Sequence, residues 1–215
     1  MNTRLKVLDP TGEELTAPYL IRISGWTEDR YFHEVPESQI VEFEDGDVIM
    51  HSPASIRHQL TTKFLTFLVG GYVDARNLGV VLNGPAVVRL REGLDYEPDI
   101  FYVATVQLRD LKNQYFLGAP TFIIEVVSSS SRNHDLRNKA TQYAQHGVHE
   151  YWAVDVDAKT IYCYVLGAGQ DSYLLSECTG GKLESRSIAG FWMEAEWLWL
   201  DPLPSQLDCL NQILA

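Results

Sequence analysis

Six consecutive residues, Phe122-Ile123-Ile124-Glu125-Val126-Val127, constrain this chain more than any other stretch. Apart from Glu125 they are all aromatic or β-branched, and the run is short and unbroken. Such a segment predicts a strand covered on both faces, and so an interior strand of a sheet. Glu125 stands in the middle of it. A carboxylate there loses its water, which folding tolerates only if a cation or hydrogen-bond donors replace the lost hydration. Glu125 is therefore a structural ion-pair partner or the ligand of a cation.

The flanking pattern supplies the rest of the sheet. Ser128 to Ser131 and Arg132-Asn133-His134 read as a loop, the serines placed to cap the next helix. That helix is predicted from about 135 to 145, with Leu136, Ala140, Tyr143 and Ala144 on its apolar face and Gly147 as its end. Residues 151–155 and 160–166 read as strands around Asp157-Ala158-Lys159. Strand, helix and strand over 122–155 predict a crossover with parallel strands. Upstream, 40–50 alternates around Asp45-Gly46, a strong hairpin signal. After Ser52-Pro53, Ile56, Leu60, Phe64, Phe67 and Leu68 recur at helical spacing and predict one buried face, with Gly70-Gly71 placed to interrupt or end the helix. Strands at 80–82, 86–90 and 98–103 come next, and the aromatic stretch 191–199 is expected to pack on the body or on a second subunit. The fold class is mixed α/β, strands central and helices on the faces.

Length and composition bound the possibilities. The chain has 215 residues, 46% of them hydrophobic and 21% charged, enough for one domain with a substantial core. No run approaches the roughly 18 uninterrupted apolar residues of a membrane helix, and 1–15 has no apolar core of a signal peptide. Cys163, Cys178 and Cys209 are too few and too scattered for a disulfide framework or a zinc ribbon. These features predict a soluble cytoplasmic protein. The net charge of −12 is uneven: eight carboxylates lie between Glu28 and Asp47 against Arg30 alone. That balance argues against tight, sequence-independent binding to a polyanion, though not against phosphodiester chemistry.

Three further residues qualify as site candidates. Asp99 follows Pro98 and starts a predicted strand; two carboxylates on neighbouring strand ends repel unless a cation lies between them, and such oxygen-rich pairs suit Mg²⁺. On the predicted helix, Asp135, Lys139, Gln142 and His146 form a polar stripe at the border of the apolar face. It is either a solvated face with an Asp135–Lys139 pair, or Lys139 reaches back over the sheet. His58 lies about 200° around its helix from Ile56, off the predicted apolar face, where a surface histidine is the plain reading. Ser128–Ser131 with His134 and Asp135 mimics a hydrolase triad, but no GxSxG elbow accompanies it. His146 and His149 have a zinc-like spacing broken by Gly147.

Glu97-Pro98-Asp99-Ile100-Phe101, Ile123-Ile124-Glu125-Val126-Val127-Ser128, Lys139 with Tyr143, and Gly147-Val148-His149-Glu150-Tyr151-Trp152 together resemble the Uma-two family. Glu44-Asp45-Gly46, Ser52-Pro53 and His58 match its upstream pattern, and the resemblance spans about residues 38–200. It implies a restriction-endonuclease-like fold of the PD-(D/E)xK type, a central mixed sheet flanked by helices. It also implies three segments: an N-terminal extension with a hairpin over 1–37, the nuclease-like domain over 38–200, and a tail over 201–215 packed on it. By the same resemblance Asp99 and Glu125 hold Mg²⁺ or Mn²⁺ together with the Val126 carbonyl. Lys139 stabilises charge on the phosphate, and His58 approaches from the first helix. The implied activity is metal-dependent hydrolysis of nucleic acid, DNA before RNA, by a homodimer. The family's fold places its lysine two residues after the acid, where this chain has Val127, so Lys139 must serve from the following helix. A rival reading is an idle nuclease fold used for oligomerisation or interaction, suggested by the acidic charge, Val127, and the aromatic tail with Trp192, Trp197 and Trp199.

Overall fold

The computed structural model describes residues 7–8, 14–15, 19–36 and 39–215. Residues 1–6, 9–13, 16–18 and 37–38, and with them the boundary of the expected 1–37 extension, lie outside the described residues. Strands β1 (Val7–Leu8) and β2 (Glu14–Leu15) pair with each other. The chain continues through β3 (Leu20–Ser24), α1 (Glu28–Glu34), β4 (Val41–Glu44), β5 (Asp47–His51) and α2 (Ile56–Arg76). Next come β6 (Gly79–Asn83), β7 (Val87–Arg91), β8 (Leu94–Tyr96), β9 (Ile100–Ala104), a 3₁₀ turn, β10 (Tyr115–Leu117) and β11 (Phe122–Val126). A π-helical turn (His134–Lys139) runs directly into α3 (Ala140–His146), then β12 (Glu150–Asp155), β13 (Thr160–Leu166) and β14 (Tyr173–Cys178). The short pair β15 (Lys182–Glu184) and β16 (Trp192–Glu194), a second 3₁₀ turn and α4 (Gln206–Leu214) end it.

Two six-stranded sheets organise these elements. One has the order β10-β7-β8-β4-β5-β3, the other β14-β13-β12-β11-β9-β6. In the second, β11 and β12 are parallel, from Phe122 opposite Glu150 to Val126 opposite Val154, with α3 in the crossover, as the strand–helix–strand pattern predicted. The class is therefore mixed α/β, with the hairpin-rich N-terminal half forming a sheet of its own.

Period-two alternation in β11 divides the interior. Phe122, Ile124 and Val126 join a core with Phe64 and Leu68 of α2, Trp152, Phe191 and Ile213 of α4. Ile123 joins a second core built by both sheets and α3, with Tyr96, Phe101, Tyr143 and Tyr151. Glu125 shares the face of Ile123, so it points toward α3 and the other sheet. The tail belongs to the first core: Phe191, Met193, Ala195 and Leu198 are buried.

Helix α2 departs from the sequence expectation twice. Its buried stripe is Thr61, Phe64, Leu65, Leu68, Val69, Tyr72 and Val73, whereas Ile56, Leu60 and Phe67 are exposed at 77%, 48% and 39%. The face rotated because the sheet and α4 lie along the residues around 64–65 and 68–69, and Ile56, Leu60 and Phe67 sit on the other side. Nor do Gly70-Gly71 end the helix, which runs to Arg76 with a left-handed cap at Asn77. Gly71 is there for contact: a Cβ would lie 2.5 Å from Leu210 of α4. Among the described residues no helix is long and apolar enough to cross a membrane. All three cysteines are free thiols.

Gly79, the first residue of β6, has φ +149°, and a Cβ there would run into the Val103 carbonyl of β9. A side chain would push the edge strand off the sheet. We predict that Gly79→Ala lowers stability by about 1–3 kcal/mol, the usual cost of overpacking against backbone. A urea midpoint equal to wild type would contradict this.

Candidate active site

Asp99 and Glu125 meet where the β9–β11 ladder stops. The last paired residues are Ile100 and Ile124. One step further on, the carboxylates take over from the backbone carbonyls. Asp99 N–H donates to Glu125 Oε2 at 3.0 Å, and Val126 N–H donates to Asp99 Oδ2 at 2.7 Å. Two amides that the sheet can no longer satisfy are thereby satisfied, and each carboxylate is fixed by the other strand's backbone. Asp99 thus precedes β9; it does not start it.

Lys139 reaches this point from the end of the π-helical turn. Its Nζ lies 2.8 Å from Glu125 Oε1, 2.6 Å from Glu42 Oε1 of β4 and 3.7 Å from Asp135 Oδ1. Tyr143 OH donates to Glu125 Oε1 at 3.0 Å. The stripe predicted on the helix therefore splits: Asp135 and Lys139 are buried, while Gln142 and His146 are half-buried. The Asp135–Lys139 pair and the reach across the sheet are both present.

His58 is brought to the same place. From the first turn of α2, capped by Ser55, its Nε2 lies 3.2 Å from Asp99 Oδ2. It is mostly buried, and its Nδ1 has no partner among the described residues. Burial opposes charge on the imidazole, but Asp99 and the Val126 carbonyl outweigh it and raise the pKa.

The charge balance of this cluster is uneven. One ammonium serves Glu42, Glu125 and Asp135, and cannot neutralise all three. Lys139 stays charged despite burial because the three carboxylates surround it. Glu42 is held well below the usual carboxylate range despite its own burial, by Lys139 and by hydrogen bonds from His134 and His51 at 3.3 and 3.2 Å. Glu125 is left with the surplus. Burial, offset by Lys139 and augmented by Asp99, raises it to about 7, and Asp135 is raised as well, by burial first. Surplus acid on hard oxygen ligands is the condition a divalent cation relieves. Among the described residues no three His, Cys, Asp or Glu groups meet as a ready cage. The two-carboxylate pair nevertheless suits an ion that keeps most of its waters.

Glu42, His51 and His134 belong to the cluster although no motif pointed to them there, and Asp135 was visible only as one residue of a stripe. Glu42 carried a usable signal: in β4 it alternates with Val41 and Phe43, which fill a separate small core, so Glu42 faces the opposite way, toward Lys139. Other chemistry-bearing motifs turn out to be scaffolding. Glu150 accepts from Trp152 Nε1, Ser185 Oγ and the Arg186 and Ser187 amides at 2.7–2.9 Å, which pins the loop before β16. The serine run closes on itself: Ser128 N–H donates to Ser131 Oγ and Ser131 N–H to Ser128 Oγ, both at 3.1 Å. It caps the helix in the same act, as expected: this reciprocal pair three residues apart, with Arg132 N–H donating to the Ser128 carbonyl at 2.9 Å, is a capping box at the start of the helical segment. His149 is exposed and offers nothing to His146.

Comparison with known proteins agrees with the motifs. The model of the Uma2 family, described as "Putative restriction endonuclease", matches residues 29–196. Among solved structures, the chain is similar to "a putative nuclease belonging to DUF820" from Anabaena variabilis ATCC 29413. The TM-score is 0.57 and the identity 17%, over 85% of this chain and 96% of that one. At that identity the likeness is one of fold. No curated protein matches the sequence.

Glu97 supplies a test of the buried acid. It receives Tyr31 OH and the Val41 amide, both at 3.2 Å, and burial with the nearby Glu42 charge raises it from 4.5 to about 8. An acid whose folded pKa exceeds its unfolded one binds the proton more tightly when folded. Its contribution is intact below about pH 4.5 and lost as pH rises toward about 8. Glu97→Gln mimics the protonated acid, its Oε1 accepting the Val41 amide and its Nε2 donating to the Tyr31 hydroxyl, which donates on to the Val41 carbonyl, and it removes the titration. We predict equal melting temperatures at pH 4.5 and a higher one for Glu97→Gln at pH 8.5; identical curves at both would contradict the assignment.

Proposed function

The chain belongs to the Uma2 family of restriction-endonuclease-like proteins, and from that premise we propose that it is a metal-dependent endonuclease acting through Asp99, Glu125 and Lys139. The observation that carries the proposal is Glu125. It is a buried strand carboxylate raised to about 7, tied to Asp99 through each other's backbone, with one lysine shared among three acids. In this reading Asp99 and Glu125 hold Mg²⁺ or Mn²⁺, with the Val126 carbonyl as a further oxygen. Bound there, the ion polarises a phosphoryl oxygen and lowers the pKa of a bound water.

The chain's own residues do the remaining work. Lys139, charged and 2.8 Å from Glu125, offsets negative charge gathering on the phosphate. Its entry from the helix removes one argument for an idle fold, the valine at position 127. His58, whose basicity Asp99 raises, can deliver a proton to a leaving oxygen; it can also vacate Asp99 when a cation binds. DNA is the proposed substrate. A homodimer is proposed because cutting both strands of a duplex takes two such sites; light scattering after size exclusion that reports a monomer at working concentration counts against it.

Asp99→Asn and Glu125→Gln are each predicted to lower cleavage of plasmid and oligonucleotide DNA by at least about a hundredfold in Mg²⁺ or Mn²⁺. Calorimetry should lose the metal-binding heat in both variants. Undiminished cutting in either, or no cutting and no metal binding by the wild type, overturns the proposal.

A further inference from the structure

Asp99 also lines a cavity of about 430 Å³ that opens to solvent, a volume in the range of small-ligand pockets. Its wall is mixed. Phe67 and Ile40 contribute apolar surface and are 39% and 45% exposed. The Phe67 ring stacks on no other aromatic side chain among the described residues. Gln59 and Gln206 contribute side-chain amides, and Lys63 an ammonium; among the described residues these three make no side-chain hydrogen bond or ion pair. Gln59, Lys63 and Phe67, all on one face of α2, are thus left to solvent on the side opposite the helix's buried stripe.

The combination has a specific chemistry. An exposed ring gives a base a face to stack on. Paired donor and acceptor groups of an amide match the edge of a base. A single cation meets a phosphate, and the carboxylate of the proposed reaction centre lies in the same wall. We infer, resting on the nuclease reading, that this cavity binds one unpaired nucleotide beside the scissile phosphate. The substrate is then a single strand, or a duplex with an unpaired position, because a base held in a pair cannot enter a pocket. The net charge of −12 fits the same picture. A net charge this negative disfavours tight, sequence-independent duplex binding by counterion release, whereas stacking adds affinity without further positive charge.

The experiment uses the full chain carrying Glu125→Gln, so that binding is read with cleavage silenced. Fluorescence anisotropy compares a short labelled single-stranded deoxyoligonucleotide with the same sequence fully paired, in Mg²⁺. The single strand should bind more tightly, with a shallow salt dependence. Phe67→Ala should weaken it by about fivefold or more, the loss of one stacked base, and Phe67→Tyr should restore it. Phe67 is exposed, so the variant keeps the core. Equal or tighter duplex binding overturns the inference, as does single-strand binding that ignores Phe67→Ala or fails to saturate. Its failure is separable from that of the nuclease reading. Undiminished cutting of paired duplex by Phe67→Ala, in a chain with native Glu125, removes only the pocket assignment. Phe67-dependent strand binding by a protein that cuts nothing removes only the nuclease assignment.

Discussion

A single buried ammonium joins the parts of this molecule that matter most. Lys139 contacts Glu42 from one sheet, Glu125 from the other and Asp135 from its own turn. In a low-dielectric interior each contact is strong, but so is the repulsion among the acids, and one positive charge cannot cancel all three. The π-helical turn is what allows the meeting. One extra residue in the turn lets His134, Asp135 and Lys139 all face inward, toward Glu42 and Glu125. A regular helix over the same residues would rotate part of this set toward solvent.

Around that charge, the end of the β9–β11 ladder does a second job. A sheet that stops leaves backbone amides without partners. Here the two unpartnered amides are given to the two carboxylates, so satisfying the backbone and aiming the side chains are the same act. The geometry of Asp99 and Glu125 therefore depends on the sheet and not on side-chain packing alone. His58 then closes the third side from α2.

Much of this was legible in the sequence, for identifiable reasons. Glu125 announced itself because an acid inside Phe-Ile-Ile-x-Val-Val must be either ion-paired or the ligand of a cation, and the strand, the parallel crossover and the Asp45-Gly46 hairpin came from period and turn chemistry. The buried face of α2 did not. Ile56, Leu60 and Phe67 obey helical spacing as well as the true face does, and only the position of the sheet and α4 chooses between them. Glu42 was lost in a run of acids whose sum suggested surface, although its own alternation with Val41 and Phe43 said otherwise. The π turn has no sequence signature of its own, so the depth of Lys139 could be proposed from the helix but not located. Glu150 and the serine run show the converse: residue types associated with chemistry can be spent entirely on structural hydrogen bonds.

The contact between Gly71 and Leu210 has a further consequence. Helix α2 is 21 residues long, a rod of about 30 Å. His58 rides on its first turn beside Asp99, and Phe67 sits midway along the cavity wall. Its farther half is clamped by α4, close enough that a methyl group on Gly71 would lie 2.5 Å from the Leu210 side chain and force it to shift. The rod therefore acts as a gauge bar: the spacing between the imidazole and the carboxylates is set partly by how the last helix of the chain seats against it. The C-terminal helix, which supplies none of the proposed catalytic groups, helps to calibrate it.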